Sequence, residues 1–597
     1  MGGFFAELKR RQMFRVAAAY AVVAWLLLQV VNNVAPVLDL PPWVARAFLL
    51  ALVIGFPIAL LFVWMRDLAP ADGSAPKHAT TKLDYVLAGG LILVIALLSY
   101  QQLATTNDAV RTEASVAAAG ASPTGVSIAV LPFANVSGDA SRDFFSDGMT
   151  DEISGALAKV ADLRVIARSS AFQFKGQNQD VRAVGQALGA THLIDGSVRQ
   201  AGNRVRITAQ LVRAGDGVQL WSENYDRELT DIFAIQEEIA RAIAGALRVP
   251  LGLAQGETLV RNRTVNLDSY QQYLRARAFR RETRMPEAIA LLEPVTMRDP
   301  GFAPAWSLLA NVYRLTPGYI AGSDDEFFRI TPSYNDKAEK AAREAIRLDS
   351  REALAYAVLA QIEAAARNWT GADDLYRQAL EFDTNEPDVL HSYSLRLAAA
   401  GRIKEALGLR EKLRTLEPIE PLYNIWTASY LQVAGQNRAA ISLLESIPPN
   451  FAISFNRNVT LARAYAAEGR FSDAADTLLS ITGNRVSRTM IESAARMLRG
   501  APARASAEDI SLTLENGLSF VFTYVGAQDR VLDDEEKFLA AGNAFIDHVL
   551  WSAPFAAVRK SERFKALIRN SGVLDYWRAR RWPDLCRPAG ADDFECE

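Results

Sequence analysis

Three long apolar segments stand out in the first hundred residues of the chain. They cover about 16–34, 47–65 and 85–100, and none of them contains a charged side chain. A helix of about 20 apolar residues is long enough to cross the hydrocarbon core of a bilayer. The pattern therefore predicts a three-helix transmembrane anchor over residues 1–100.

Basic residues flank the predicted spans unevenly. Those that precede the first span or separate the second from the third are Lys9, Arg10, Arg11, Arg15, Arg66, Lys77 and Lys82. Because basic loops stay on the cytoplasmic side, we expect the N-terminus in the cytoplasm and the bulk of the chain in the periplasm, anchored in a bacterial inner membrane. Two alternatives stay open: a cleavable signal peptide in the first segment, or a third segment that does not span, which would leave the body of the chain cytoplasmic.

Strand and helix patterns mix over residues 126–252, after a flexible linker rich in Ala, Ser, Thr and Gly at 101–125. In the clearest strand pattern, apolar residues from Val205 to Leu211 alternate with polar ones, as in a strand with one buried face. The strands are expected at 127–133, 163–167, 192–200, 204–213 and 218–225, and the helices at 143–160, 181–188 and 231–247. The pattern predicts a small α+β domain with a mixed sheet and helices mainly on one face.

An interval of 34 residues organises the chain from 265 to 484. Alanine recurs at positions 338, 372, 406, 440 and 474, and glycine recurs in the same register at 401, 435 and 469. This interval is typical of tetratricopeptide (TPR) arrays, in which each unit is two antiparallel helices. We expect about six units, with alanine where the helices approach closely and glycine in the turn between them. The predicted fold class is therefore multi-domain, with a transmembrane anchor, an α+β domain and an all-α TPR solenoid.

The second unit contains about 16 extra residues near 316–334, which we expect to form a loop. The loop is either specific for a partner or a tolerated surface insertion. The first helix of each unit should line a groove that binds a protein or peptide partner. Its candidate residues are Tyr270, Tyr273, Arg277, His391, Leu395, Ile425, Gln432, Asn456 and Arg463.

The C-terminal part, 485–597, has helical patterns at 507–526, 533–549 and 556–571 that are out of the repeat register. We expect it to be a helical cap on the array, because terminal repeats must cover their apolar face. The chain's two cysteines, Cys586 and Cys596, lie in a loop-like tail. A disulfide between them would require an oxidising compartment, which agrees with the periplasmic placement.

Several stretches of residues 126–249 resemble the TolB-N-terminal-like (FlgO-like) domain of proteobacterial membrane proteins. They are SIAVLPFANVSGD, FFSDGMTDEISGALAKVADLRVIARSS, GATHLIDGSVRQAGNRVRITAQLV and LWSENYDREL. The resemblance implies an α+β domain that commonly precedes TPR arrays. Relatives carry a winged-helix or nucleotide-cyclase domain on the cytoplasmic side, and this chain has neither, so we expect that it is not an enzyme.

Composition and motifs narrow the function further. The net charge is −3 over 597 residues, which does not favour nucleic-acid binding. No phosphate-loop motif, metal-ligand spacing or catalytic cofactor motif occurs, so we expect no cofactor and no metal. An acidic cluster at Asp143, Asp147, Asp151 and Glu152 is either a helix N-terminal feature or a cation site.

We therefore expect an inner-membrane-anchored periplasmic scaffold for protein–protein interactions, in an envelope-associated complex. The alternative is a periplasmic sensor that binds a ligand or peptide and signals through a membrane partner. The sequence indicates no particular oligomeric state.

Overall fold

The computed structural model describes the chain from residue 126 to its end, together with Leu52. The described residues after 126 belong to one compact unit. The short stretches within it that are not described are 161, 178–179, 252–258, 261–265, 449–453, 483–485, 515–516, 543–545 and 591–592.

The predicted transmembrane anchor and the linker at 101–125 lie outside the described residues, apart from Leu52. Within the described part of the chain, the structure contains no helix that is both long enough and apolar enough to cross a bilayer. The fold-class prediction is corrected accordingly, because the structure does not support its three transmembrane helices. The described chain is mostly helical, with one small mixed sheet and a separate two-stranded hairpin.

A mixed sheet forms the centre of the α+β domain. Its strands are β1 (Val126–Val130), β2 (Ala134–Asn135), β3 (Leu163–Ile166), β4 (His192–Ala201), β5 (Arg204–Arg213) and β6 (Gln219–Glu228). The order is β3-β1-β4-β5-β6, and β2 pairs with β4. Strand β1 is parallel to both β3 and β4, whereas β4, β5 and β6 form an antiparallel meander. The alternation read from the sequence of β5 is observed, since Val205, Ile207, Ala209 and Leu211 are fully buried.

The helices of this domain are α1 (Asp143–Leu157), α2 (Arg168–Phe172), α3 (Val181–Leu188) and α4 (Ile232–Ala246). Helices α1 and α4 cover one face of the sheet and pack against each other. Helix α3 covers part of the opposite face through Val184 and Leu188. The remainder of that face, over β4 to β6, is polar.

Six helix pairs follow within the described residues. They are α5 (Leu267–Arg281) with α6 (Met285–Arg298), α7 (Ala303–Leu315) with α9 (Asp324–Leu348), α10 (Ala353–Ala365) with α11 (Trp369–Phe382), α12 (Pro387–Ala399) with α13 (Ile403–Leu416), α14 (Pro421–Val433) with α15 (Asn437–Ser446), and α16 (Ser454–Ala467) with α17 (Phe471–Leu479). The helices of each pair pack on one another and on the next pair, which is the TPR arrangement.

The repeated small residues have the roles that their spacing predicts. The five alanines of the 34-residue register are completely buried, because the two helices of a pair approach each other there. Gly401, Gly435 and Gly469 have φ of +77°, +79° and +74°, a left-handed conformation that residues with a Cβ adopt only at a cost. Each of these turns joins the first helix of a pair to the second helix of the same pair.

The insertion near 316–334 is helical, and the expectation of a loop there is wrong. It forms the short helix α8 (Pro317–Ile320) and the beginning of the 25-residue helix α9. Ser323 caps α9 by accepting a hydrogen bond from the Glu326 amide. Phe328 of α9 contacts Phe538 near the C-terminus, with ring centroids 5.5 Å apart. The inserted residues therefore link the second unit to the C-terminal part.

The C-terminal part contains short elements rather than the three long helices that were expected. Its helices are α18 (Arg488–Gly500), α19 (Ala507–Ser511), α20 (Val531–Ala540), α21 (Ala556–Arg559), α22 (Glu562–Asn570) and α23 (Val573–Ala579), with 3-10 turns at Ser519–Tyr524, Gln528–Arg530, His548–Trp551 and Ala553–Phe555. The tail is not a plain loop, because β7 (Cys586–Ala589) and β8 (Asp593–Cys596) form an antiparallel hairpin.

Candidate functional site in the groove of the repeat array

The groove is the face formed by the first helices of the units, and its N-terminal end lies against the α+β domain. The Tyr270 hydroxyl accepts a hydrogen bond from Nε2 of Gln236 in α4, at 3.0 Å. Tyr273 packs edge-on against Phe302, with ring centroids 5.0 Å apart. The Arg277 guanidinium donates to Glu152 of α1 at 2.7 Å. Two of these three predicted groove residues therefore bind the chain's own α+β domain.

The acidic side of α1 is the α+β domain's half of this interface. The side chain of Asp151 is only 1% exposed, and its Oδ2 pairs with Arg168, with Arg277 at 3.1 Å and with Arg281 at 3.3 Å. Asp147 pairs with Lys175 at 2.7 Å. Within this cluster, Asp151 and Glu152 thus bind guanidinium groups of α5, which is neither of the two roles considered from the sequence.

A second contact joins the α+β domain to the loop between α13 and α14. The buried carboxylate of Glu417 accepts the backbone N–H groups of Ser169 and Ser170, at 3.1 and 2.6 Å. Beside it, the Ala167 N–H donates to the Leu416 carbonyl at 2.7 Å. Burial raises the pKa of Glu417 to about 7, although the two amide donors act in the opposite direction. The α+β domain therefore spans from the first unit to the fourth.

The middle of the groove contains His391, Leu395 and Ile425. Ile425 is buried, and Leu395 is half-buried against the main core. The His391 ring contacts the rings of Tyr423 and Trp426. Its Nδ1 accepts a hydrogen bond from Arg410 at 2.9 Å, and burial holds the pKa of His391 well below its ordinary value. The imidazole is consequently neutral at physiological pH.

The C-terminal end of the groove is filled by the 3-10 turn His548–Trp551. Arg463 donates to Oε1 of Gln432 at 3.0 Å and to the Ser429 hydroxyl at 2.5 Å, and both Arg463 and Gln432 are buried. The same Ser429 hydroxyl lies 2.5 Å from Nε2 of His548. Asn456, the remaining predicted groove residue, is half-buried on α16, where its carbonyl accepts from the Thr460 hydroxyl.

Tryptophan side chains fix the C-terminal part on the edge of the array. The indole N–H of Trp551 donates to the Ala399 carbonyl at 3.2 Å, and that of Trp577 donates to the Ala400 carbonyl at 2.8 Å. These carbonyls end the first helix of the fourth unit and precede the turn at Gly401. The chain itself thus occupies both ends of the groove, at Tyr270 and Arg277 and at Gln432 and Arg463.

Cys586 and Cys596 are joined by a disulfide that pairs the ends of β7 and β8. Phe594 of this hairpin is fully buried against Trp577, with ring centroids 5.3 Å apart. The hairpin therefore continues the packing of the C-terminal part against the array.

Sequence reasoning missed the residues that fill the groove. Asp547, His548 and Trp551 lie outside the repeat register, and their local sequence pattern does not indicate which surface they cover. The density of aromatic residues in the C-terminal part did signal burial, but not its location. Glu417 was missed as well, although an acidic residue directly after a helix C-terminus is an unfavourable position without a partner.

Other surfaces of the array remain open. An open cavity of about 390 Å³ lies between α15 and the turn that joins α16 to α17, and it is lined by Arg438, Ile441, Ser442, Glu445, Glu468 and Arg470. Three large apolar side chains of the second-helix side and the insertion are exposed: Met297 by 75%, Tyr319 by 54% and Ile320 by 41%. Tyr319 and Ile320 are adjacent on α8, and exposed apolar side chains that lie together are more typical of contact surfaces than isolated ones.

No family model matches the chain. A curated protein described as putative adenylate cyclase 3, from Rhizobium meliloti (strain 1021), is 40% identical to it over 242 residues, which is 40% of each chain. The chain therefore spans two fifths of the length of this relative. The expectation that the chain is not an enzyme is contradicted by this similarity to a protein described as a cyclase.

Two solved structures are similar in part. A thermophilic TPR protein of Thermus thermophilus is 17% identical, with a TM-score of 0.24, and covers 34% of this chain and 91% of its own. TolB from Acinetobacter baumannii is 18% identical, with a TM-score of 0.15, over 21% of this chain and 28% of its own. The assignment of the repeat array rests on its helix pairs and its 34-residue register rather than on these similarities.

Proposed function

We propose that the chain is a scaffold for protein–protein interactions. The observation that carries this proposal is the groove itself, which already binds two protein segments, the α+β domain and the C-terminal part. Each is held by side chains of the first helices, through the ion pairs of Arg277 and the hydrogen bonds of Ser429. Stacked helix pairs offer extended surfaces of this kind for protein partners.

Because both ends of the groove are occupied by the chain itself, we propose that a separate partner binds on the open surfaces. Helix α8 of the insertion, with exposed Tyr319 and Ile320, supplies the kind of apolar contact that anchors an interface. The test is purification of the tagged full-length chain after crosslinking in cells, with mass spectrometry of the proteins that copurify. We expect specific partners that are lost when Tyr319 and Ile320 are both changed to aspartate and kept when exposed Glu411 is changed to Gln. If the variant changed at Tyr319 and Ile320 keeps every partner, α8 is excluded as the contact.

We also propose a periplasmic location, in an envelope-associated complex. The disulfide between Cys586 and Cys596 supports it, because such bonds persist in oxidising compartments. The test is alkylation of the protein directly in cells without reductant. Two alkylated cysteines would contradict the proposal, whereas none before reduction and two after it would support it.

A second candidate function is a part in cyclic-nucleotide formation, and the similarity to the putative adenylate cyclase favours it. The purified full-length chain should be assayed for conversion of ATP to cyclic AMP, with Mg²⁺ and with Mn²⁺. Product formation above that of a heat-denatured control would establish the activity. No product under either metal would leave the scaffold as the function of this chain.

A further inference from the structure

A charged residue occupies a core register of the repeat array. The second helices of five successive units place Ala342, Tyr376, Arg410, Leu444 and Leu478 at the same position, 34 residues apart, and each of these side chains is fully buried. Arg410 is therefore a guanidinium where the following two units have leucine. A buried charge of this kind is costly unless a counter-charge accompanies it.

Hydrogen-bond donors without partners surround this position. Among the described residues, Nε and Nη2 of Arg410 and Nε of Arg314 and Arg396 are buried and make no hydrogen bond of good geometry. The buried phenol oxygens of Tyr376 and Tyr430 lie beside Arg396 and Arg410, respectively, but they are not aligned to accept from them. Nearly all buried polar groups in proteins are hydrogen-bonded, so four guanidinium nitrogens without an aligned acceptor indicate that one is missing.

The guanidinium groups contact aromatic rings, a neutral histidine and the two tyrosine hydroxyls. The Arg410 guanidinium lies over the Tyr430 ring, 5.1 Å from its centroid, and donates through Nη1 to His391. The Arg396 guanidinium lies 5.0 Å from the centroid of the Trp369 ring. Such contacts attract a cation but do not neutralise it.

The electrostatics of the cluster agree with a missing anion. Burial lowers the pKa of Arg314, Arg396 and Arg410, and the proximity of Arg396 lowers that of Arg314 further. The acid in this part of the groove, Asp547, pairs instead with His548 at 3.1 Å. The cluster thus combines three positive charges with donors that lack acceptors.

We propose that Arg314, Arg396 and Arg410, with the hydroxyls of Tyr376 and Tyr430, form a binding site for a phosphate group inside the repeat array. Three guanidinium groups match a dianion better than a singly charged carboxylate. Guanidinium also presents its donors in the planar fork that phosphate oxygens accept. The phosphate belongs either to free inorganic phosphate or to a phosphate monoester.

The test is isothermal titration of the full-length chain with inorganic phosphate, and in parallel with a nucleoside monophosphate, in chloride buffer of constant ionic strength. The decisive variant is Arg410→Leu, because leucine is the residue that the chain itself uses in this register at 444 and 478. We expect saturable binding to the unchanged chain and binding about 10- to 100-fold weaker to the variant, the loss typical of a charged hydrogen bond. Stronger binding of one titrant identifies the source of the phosphate.

Arg438→Leu is the matched control, since the Arg438 side chain is 94% exposed and its position does not belong to the register of Arg410. It should bind phosphate as the unchanged chain does. The thermal melt in phosphate-free buffer should show Arg410→Leu folded and at least as stable as the unchanged chain, because an unpaired buried charge has been removed. Absence of saturable binding, or equal binding by Arg410→Leu and the unchanged chain, would overturn the proposal and leave cation–π contacts and water as the partners of these groups.

Discussion

Substitution of Gly401 by alanine tests whether the C-terminal part lies against the turns of the array. Gly401 and Gly435 are equivalent residues of adjacent units, with φ of +77° and +79°. An alanine at either position is strained by about 1–2 kcal/mol, the cost of a left-handed conformation. A Cβ at Gly435 would have no neighbour within 4 Å, so this strain is all that Gly435→Ala should cost.

At Gly401 the new methyl group would meet the C-terminal part. Its Cβ would lie 2.9 Å from Cβ of Pro583 and 2.9 Å from Cε2 of Trp551. The indole cannot easily move away, because it donates to Ala399 and packs edge-on against Trp577 and Phe564. Overpacking of this kind costs about 1–3 kcal/mol. Gly401→Ala should therefore lower the free energy of unfolding by about 2–5 kcal/mol, against about 1–2 kcal/mol for Gly435→Ala.

The assay is urea denaturation of the two variants and the unchanged chain at 25 °C, followed by tryptophan fluorescence. Equal losses for Gly401→Ala and Gly435→Ala, within about 0.5 kcal/mol, would refute the reasoning, since the backbone strain is the same at both positions. A larger loss for Gly435→Ala would contradict it more strongly.

Three further predictions concern the α+β interface and the tail. Burial raises the pKa of Glu417 from 4.5 to about 7. The contribution of this residue to the free energy of unfolding is therefore complete below pH 4.5 and is lost as the pH rises through 7. In denaturation curves between pH 4.5 and 8, the unchanged chain should lose about 3 kcal/mol of this free energy relative to Glu417→Gln. The exposed Glu411→Gln variant on the same helix is measured in parallel as the control. A profile for Glu417→Gln that runs parallel to that of the unchanged chain would disprove the assignment. Asp151→Asn leaves three guanidinium groups without their shared acceptor and should cost about 3–5 kcal/mol in the same assay; a loss below about 1 kcal/mol would show that the interface does not depend on this carboxylate. Replacement of both Cys586 and Cys596 by serine should cost about 2–3 kcal/mol, and addition of reductant should destabilise only the unchanged chain; equal sensitivity to reductant would contradict a role for the disulfide.

Local patterns predicted most of the elements because each pattern has its own period. The alternation in β5 predicted the strand at 204–213, and the glycine at 189 ended the helix at 181–188, where the structure has α3 followed by Gly189 at φ +60°. The 34-residue register predicted the pairing of helices over more than 200 residues. Both signals recur at a fixed interval along the chain, so they can be recognised in a single sequence.

Contacts between distant, non-periodic segments could not be predicted in the same way. The hydrogen bond from Trp551 to Ala399 joins residues 152 positions apart, and that from Ser169 to Glu417 joins residues 248 apart. No periodicity connects such pairs, so the sequence pattern left the groove available for a partner. Arg277 illustrates the consequence, because its position on the first helix was predicted, whereas its partner, the acidic helix α1, was not.

We propose that this array binds its own segments in the groove and other proteins on its outer surface. Photocrosslinking in cells tests this proposal, with an aliphatic diazirine residue, similar in size to isoleucine, placed either at Ile425 in the groove or at Tyr319 on helix α8. We expect adducts with a separate protein from position 319 and only intramolecular products from position 425. A separate protein captured from position 425, with none from position 319, would show that the groove opens for a partner and that the proposal is wrong.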